Sequence, residues 1–482
     1  MWPFLTARPR PFLPLLALLS LALLLTTQPP AQEAAASTAA PRQINIPRFT
    51  GSTFASEETA VLWFGQVDHA ANYADVRLGY NDDKIKVTLH IFDEHLWYDT
   101  SPTANTLTQW DAATLYLHKT AAGSGSPNAS SYRFDAQLTH FEARPAYQKA
   151  YRGSSGAWTA VSIPFDTTVE WRGDAPNTPG GDRGWLISFN IPFASLGASA
   201  PAAGTEWRLG LALHDRDDAA GPPNPTQTWP EALNSQQPSA WGILHFGMPA
   251  YTPPLATPGG RLTLRHGLHG TTVVDAPVGG GTMCGDPAAP GYFGQWGSLN
   301  YAGDATANVQ NQWDVADWPC FSKFYVSFPT TSLPAGKVIL SASLRLHLFG
   351  SASPGDAQPS LLQVFELADP WDEASLTWNN APLAQENVAA AWVDPAAFPG
   401  WPGIPYDWDV TRAVAAAHAA GEPVNLALYS ADGAYHSGKY FSTSEAGDWN
   451  AVARPTLIIE WGEPVAITYD WHAYLPAVRA DN

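Results

Sequence analysis

Charge is scarce in this chain. Only 14% of its 482 residues are Asp, Glu, Lys or Arg, against about 25% in an average domain. The shortage falls on the basic side: 25 Lys and Arg stand against 44 Asp and Glu, a formal charge of −19. Phosphate backbones and anionic lipid surfaces are held by clustered cations, so neither nucleic acid nor membrane insertion is expected. Methionine (3) and cysteine (2) are almost missing. Two Cys cannot make a thiolate zinc site. Also missing are a Gly-x-Ser-x-Gly elbow, a His-Glu-x-x-His helix and a phosphate-binding Gly loop, which removes the most recognisable hydrolase and nucleotide-binding arrangements. Two carboxylates suffice for a glycosidase, so that class stays open as the less favoured one. After the first thirty residues, no apolar run approaches the ~20 residues of a membrane helix.

Proline (43) and aromatics (21 Trp, 17 Tyr, 20 Phe) are abundant. Many aromatics and many turn residues favour short strands over helices. YADVRLGY, KIKVTLHIFD, DAATLYLHK, WLISFNIPF and EWRLGLALHD in the first half read as strands. So do FSKFYVSF, VILSASLRLHLF, LLQVFELA, VNLALYSA and PTLIIEWG in the second. Asn81-Asp82-Asp83 reads as a hairpin turn. One helix is expected after Asp409, ending at Gly421, with Val410, Val414 and Ala417 toward a core. The fold class is therefore all-β: two jelly-roll-like β-sandwiches joined by a Pro/Gly-rich linker.

The start of the chain has the form of a secretory signal. Arg8 and Arg10 precede the apolar stretch Leu13–Leu25, followed by small polar residues. The expected organisation is a signal peptide at 1–36, a linker at 37–43, a sandwich at 44–248, a Pro-rich linker at 249–260, a sandwich at 261–462 and a tail at 463–482. Export to an oxidising compartment favours a disulfide between Cys284 and Cys320 over two buried thiols.

Within the first sandwich, "YADVRLGYNDDKIKVTLHIFDEHLWYD", "WDAATLYLHK", "GWLISFNIPFASLG", "GTEWRLGLALHDRDDA" and "TWPEALNSQQPSAWGILHFG" occur in an order that resembles family 9 carbohydrate-binding modules. The resemblance implies a terminal sugar held between two aromatics, and by position these are Trp97 and Trp229, with Trp110 as substitute for Trp97. Glu94, Asp99, Arg216 and Glu231 are the candidate hydroxyl partners. The physics agrees with such a site. A ring covering about 70 Å² of a pyranose face is worth roughly 2 kcal/mol, and millimolar affinity needs about 4, so two platforms plus hydrogen bonds suffice. No cofactor is called for. Asp215-Arg216-Asp217-Asp218 could supply oxygens to calcium, or be a loop braced by its Arg.

The second sandwich resembles the DNRLRE domain, grouped with family 96 carbohydrate-binding modules. The marks are Trp371-Asp372-Glu373, Thr377-Trp378-Asn379 to Pro382, Asp409-Val410-Thr411, Phe441 to Glu445 and Arg454-Pro455 to Leu457. These residues also have scaffold roles: Asn379 and Asn380 can close a turn, and Glu445 can pair with Arg454. The stretch around Cys284 departs from the family's opening. The reading at this level is a secreted, non-catalytic protein that binds polysaccharide or a cell-surface glycan. The alternative is a structural or adhesive surface protein with the sandwiches as spacers. An ancillary polysaccharide-degrading enzyme comes third.

Overall fold

The computed structural model describes residues 40–465, apart from 140–141, 282–283 and 285–290. The expected signal peptide at 1–36 and most of the tail lie outside the described residues. None of the described helices is long and apolar enough to cross a membrane.

Strand after strand is apolar at every second position, and each such face is buried. In Val338–Ser351, Leu344, Leu346 and Leu348 are fully buried while Arg345, His347 and Phe349 alternate with them on the other face. This periodicity builds two sandwiches. The first has an outer sheet in the order Gln43–Ile46, Gly242–Phe246, Glu206–His214, Ala112–His118, Ser131–Gln137, Gln148–Ser154, Ala157–Val161, with Gln227–Trp229 beside Glu206–His214. Its other sheet runs Ala60–Asp68, Ala71–Tyr80, Lys84–Phe92, Gly184–Pro192, Asp166–Arg172. In the second sandwich the outer sheet runs Ala256–Arg265, Thr456–Pro464, Val338–Ser351, Lys439–Ser442, Thr306–Val309, with Ile404–Asp409 beside Val338–Ser351. Its inner sheet runs Val274–Gly279, Ser322–Phe328, Val424–Ser430, Ser360–Glu366, Glu386–Val393. The Pro-rich segment therefore stays outside the sheets only as far as Leu255 and joins an edge strand from Ala256.

The inner sheets are buried on both faces, and apolar residues enter a cluster on each side. In Ala60–Asp68, Leu62 and Phe64 enter the core of the first sandwich. Val61 and Trp63, on the opposite face, enter a separate cluster with Tyr325, Phe365, Trp378 and Tyr429 of the second. The sandwiches are thus packed face to face through a third apolar layer. Several polar groups in this seam are paired across it. Val67 N–H donates to Asn379 Oδ1 (2.8 Å) and Asn379 Nδ2 donates to Val67 O (3.0 Å). Asn387 does the same for Asn45, at 2.8 and 2.9 Å. Each side chain takes the place of a missing ladder partner. Arg77 Nη2 donates to Asn311 Oδ1 (3.0 Å) and Gln312 O (2.6 Å), while Asn311 Nδ2 donates to Asp75 Oδ2 (3.0 Å).

The helix is Thr411–Ala420, with Gly421 in the left-handed conformation and Asp409 Oδ1 accepting from Thr411 N–H at 3.0 Å. Asn81 Oδ1 closes the Asp82-Asp83 turn by accepting from the amides of Asp83 and Lys84, both at 2.9 Å. Cys284 and Cys320 are joined by a disulfide. One expected pair is corrected. Arg454 Nη2 bonds Asp448 at 2.8 Å, not Glu445, because the short turn Asp448–Ala453 carries Asp448 back over the guanidinium.

Candidate functional site

The family 9 resemblance placed the site on loops at one end of the first sandwich, and three of the seven candidates do meet there. Asp111 is the hub: Oδ2 accepts from Trp97 N–H (2.6 Å) and Oδ1 from Arg216 N–H (2.9 Å). Trp97 is half-buried. Trp110 gives one face to Arg216, whose guanidinium carbon lies 4.3 Å from the ring centroid. Arg216 also clamps its own loop, donating to Asp218 O (2.8 Å), Gln109 O (3.1 Å) and Gly221 O. The Arg-braced loop is therefore observed, and it occupies the platform that Trp110 would offer. Glu94 faces His69 Nδ1 at 2.6 Å. Asp99 accepts from Thr106 Oγ1 at 2.9 Å.

Trp229 is a correction. It is 2% exposed, and its indole packs against Gly242, where a Cβ would come within 2.5 Å of the ring. The segment Gln227–Trp229 is not an open loop but a short strand paired with Leu211–Leu213, which turns the indole into the core. Glu231, exposed, is held by Arg42 (Nε to Oε2, 2.8 Å).

The same end of the sandwich carries a buried acidic cluster. Asp93, Asp215 and Asp217 bring carboxylate oxygens within 4.8 Å of one another. Asp93 Oδ2 is buried with no hydrogen-bond partner among the described residues. Burial first, then the neighbouring carboxylates, hold Asp93 and Asp111 well above the usual carboxylate range. Burial pushes Asp215 up to about 6, though Asn224 Nδ2 donates to it (2.8 Å) and to Asp217 (2.7 Å). An oxygen-only donor set with an unpaired buried carboxylate oxygen suits calcium, which takes several carboxylates and carbonyls.

Exposed aromatics gather instead on the second sandwich. Trp449 is 73% exposed, Phe398 60% and Trp401 49%. The Trp401 ring lies 5.3 Å from Trp449, 5.2 Å from Phe398 and 5.7 Å from Phe349, which is in turn 6.2 Å from Tyr440. Five rings therefore form one continuous wall. Its geometry follows from the backbone. Phe349 projects from the outer face of Val338–Ser351, and the loop bearing Phe398 and Trp401 is drawn down on this strand at Gly403. Gly403 has φ +101°, and a Cβ there would stand 2.6 Å from Leu348 O, so only glycine permits the approach. On the same strand face Arg345 makes two 2.8 Å bonds to Asp407. An apolar wall beside a fixed guanidinium–carboxylate pair can cover a sugar face and receive its hydroxyls. The signal in the sequence was Phe-Pro-Gly-Trp-Pro-Gly (398–403), two aromatics among turn residues that no strand can bury.

Residues 293–460 match carbohydrate-binding module family 96. Every residue of the aromatic wall falls within that match. Among solved structures, the N-terminal portion is similar to a carbohydrate-binding module of family 9 from Caldicellulosiruptor kristjanssonii in complex with cellotriose. Identity is 16%, over 43% of this chain and 95% of that one, with a TM-score of 0.29. A putative carbohydrate-binding protein from Bacteroides uniformis is 11% identical over 43% of this chain and 100% of its own, with a TM-score of 0.33. No curated protein gives a significant match. The family 96 resemblance drawn from the sequence thus recurs in the family match.

Proposed function

We propose that this is a secreted, non-catalytic protein that binds carbohydrate, holding a polysaccharide or surface glycan on the aromatic wall of its second sandwich. The observation that carries the reading is the wall itself: Phe398, Trp401 and Trp449 are exposed together, where burying them would have gained about 1.5–3 kcal/mol each. Apolar surface of this size left in water marks a binding site, and it lies inside the family 96 match. The segment Asp93–Asp111 with Asp215–Asp218 acts in this reading as a braced, calcium-compatible loop cluster rather than as the sugar site.

Affinity electrophoresis against a panel of soluble polysaccharides tests the proposal. Retardation in at least one gel, lost on Trp401→Ala, supports it. Unretarded migration of the folded protein in every gel favours the structural reading, in which the rigid face-to-face packing of the sandwiches serves a spacer. Release of reducing sugar from the same panel would restore the enzyme reading.

A further inference from the structure

Between the two sandwiches lies a cleft of about 520 Å³, within the range of small-ligand sites. Ser56 and Glu57 of the first sandwich line one side, and Trp313, Gln358, Trp392 and Asp432 of the second line the other. Trp313 is fixed from across the seam: His90 meets its ring edge-on at 5.0 Å, and the Arg77 guanidinium carbon lies 5.6 Å from its centroid. Trp392 is 45% exposed, on the edge strand Glu386–Val393. Asp432 is 1% exposed and accepts from Ser430 Oγ at 2.9 Å. At Gly433 a Cβ would stand 3.7 Å from Glu57 Oε2, so the two walls nearly touch there.

Two indoles for apolar faces, with the Glu57 carboxylate and the exposed Gln358 amide for hydroxyls, make a polar-aromatic site, not a hydrophobic gap; Asp432 lies nearly buried behind them. The side chains lining it include no Lys or Arg, and the chain as a whole carries −19. Arg77 and Lys439 stand behind the carboxylates without lining the cleft, so a polyuronate would meet Glu57 and no lining cation, whereas a neutral pyranose offers hydroxyl donors that Glu57 accepts. The cleft is also continuous with the aromatic wall along the chain. The strand bearing Trp392 runs into the loop bearing Phe398 and Trp401. Lys439 bonds Gln358 O and Ser360 Oγ, both at 2.8 Å, and its neighbour Tyr440 belongs to the wall.

We propose that this cleft is a second glycan site, assembled only when the sandwiches are docked, which takes a segment of neutral polysaccharide and rejects uronate-rich chains. It rests on the carbohydrate-binding reading above. The test is calorimetric titration of the full chain with cellohexaose, xylohexaose, mannohexaose and hexagalacturonate, for wild type, Trp392→Ala, Glu57→Gln and Trp401→Ala. Trp392 and Glu57 are not core residues, so both variants are expected to melt with wild type. The expected result is binding of a neutral hexaose, weakened about tenfold by Trp392→Ala and several-fold by Glu57→Gln, with no heat from hexagalacturonate. If Trp392→Ala and Glu57→Gln bind as wild type while Trp401→Ala does not, the cleft proposal falls and the wall reading stands. Hexagalacturonate binding that is lost on Trp392→Ala overturns the ligand class. If wild type binds none of the four, the cleft proposal falls; the wider polysaccharide panel then decides the reading beneath it.

Discussion

Lys323 Nζ donates a 2.7 Å hydrogen bond to Tyr73 Oη across the seam, and both residues are almost wholly buried. The same nitrogen also lies 3.6 Å from the ring centroid of Trp378 and 4.4 Å from that of Trp63. Burial pushes the Lys323 amine well below its usual range, with the Asp75 carboxylate opposing. Tyr73→Phe removes the acceptor and is expected to cost about 1–3 kcal/mol in urea unfolding. Lys323→Met keeps the packing volume and abolishes the need for a partner, so the double variant should recover most of that loss. Losses that simply add would show that the two residues are not coupled.

Removing a ring from the wall should affect binding and spare the fold. Trp401→Ala and Trp449→Ala each take away a platform worth roughly 2 kcal/mol, so binding to the retarding polysaccharide should fall about 10- to 30-fold. Trp449 is 73% exposed, and its variant should melt within a degree or two of wild type. Trp229→Ala should do the reverse, costing about 3–5 kcal/mol of stability as a core truncation.

The acidic cluster predicts a calcium effect. Calcium at a hundred times its dissociation constant would add about 2.7 kcal/mol to stability. Differential scanning calorimetry should show a higher melting temperature in calcium than in EDTA, and Asp93→Asn should shrink the difference. Identical melting in the two buffers would leave Asp93, Asp215 and Asp217 as a purely internal network.

Asp432 predicts a pH dependence. Burial pushes its carboxyl from 3.8 up to about 6, against the pull of Lys439. The folded state therefore holds this proton more tightly than the unfolded state. The associated stability is fully present below about pH 4 and is lost as pH rises through 6, by about 3 kcal/mol at most. Asp215 and Asp182, both pushed up to about 6 by burial, act in the same direction. Wild type should lose stability between pH 4 and 7, and Asp432→Asn should lose less. Superimposable profiles would contradict the assignment.

The strands were legible because alternation survives in nearly all of them, and that alternation turns Trp185 and Trp207 inward, to 0% and 4% exposed. The helix after Asp409 and the Cys284–Cys320 bridge were legible from local chemistry. The seam was not. Val61 and Trp63 alternate with Leu62 and Phe64, which says that a strand is covered twice but not by what. The Trp229 platform failed for a related reason. Trp229 precedes a proline in a Pro-rich stretch, which suggests an open loop, yet three residues of ladder suffice to turn it inward. Asn379 looked like a turn residue; Asn380 closes that turn through Thr377 N–H at 2.7 Å, and Asn379 reaches the other sandwich instead.

The third apolar layer has a consequence for handling the protein. Severing the chain in the Pro-rich stretch near Leu255 would leave Trp63, Tyr73 and Phe92 on one fragment and Trp318, Trp378 and Tyr429 on the other, bare to water. Each half would be a sticky, poorly soluble piece. The intact chain, by contrast, should absorb heat in a single calorimetric peak, because neither sandwich can open without uncovering the other.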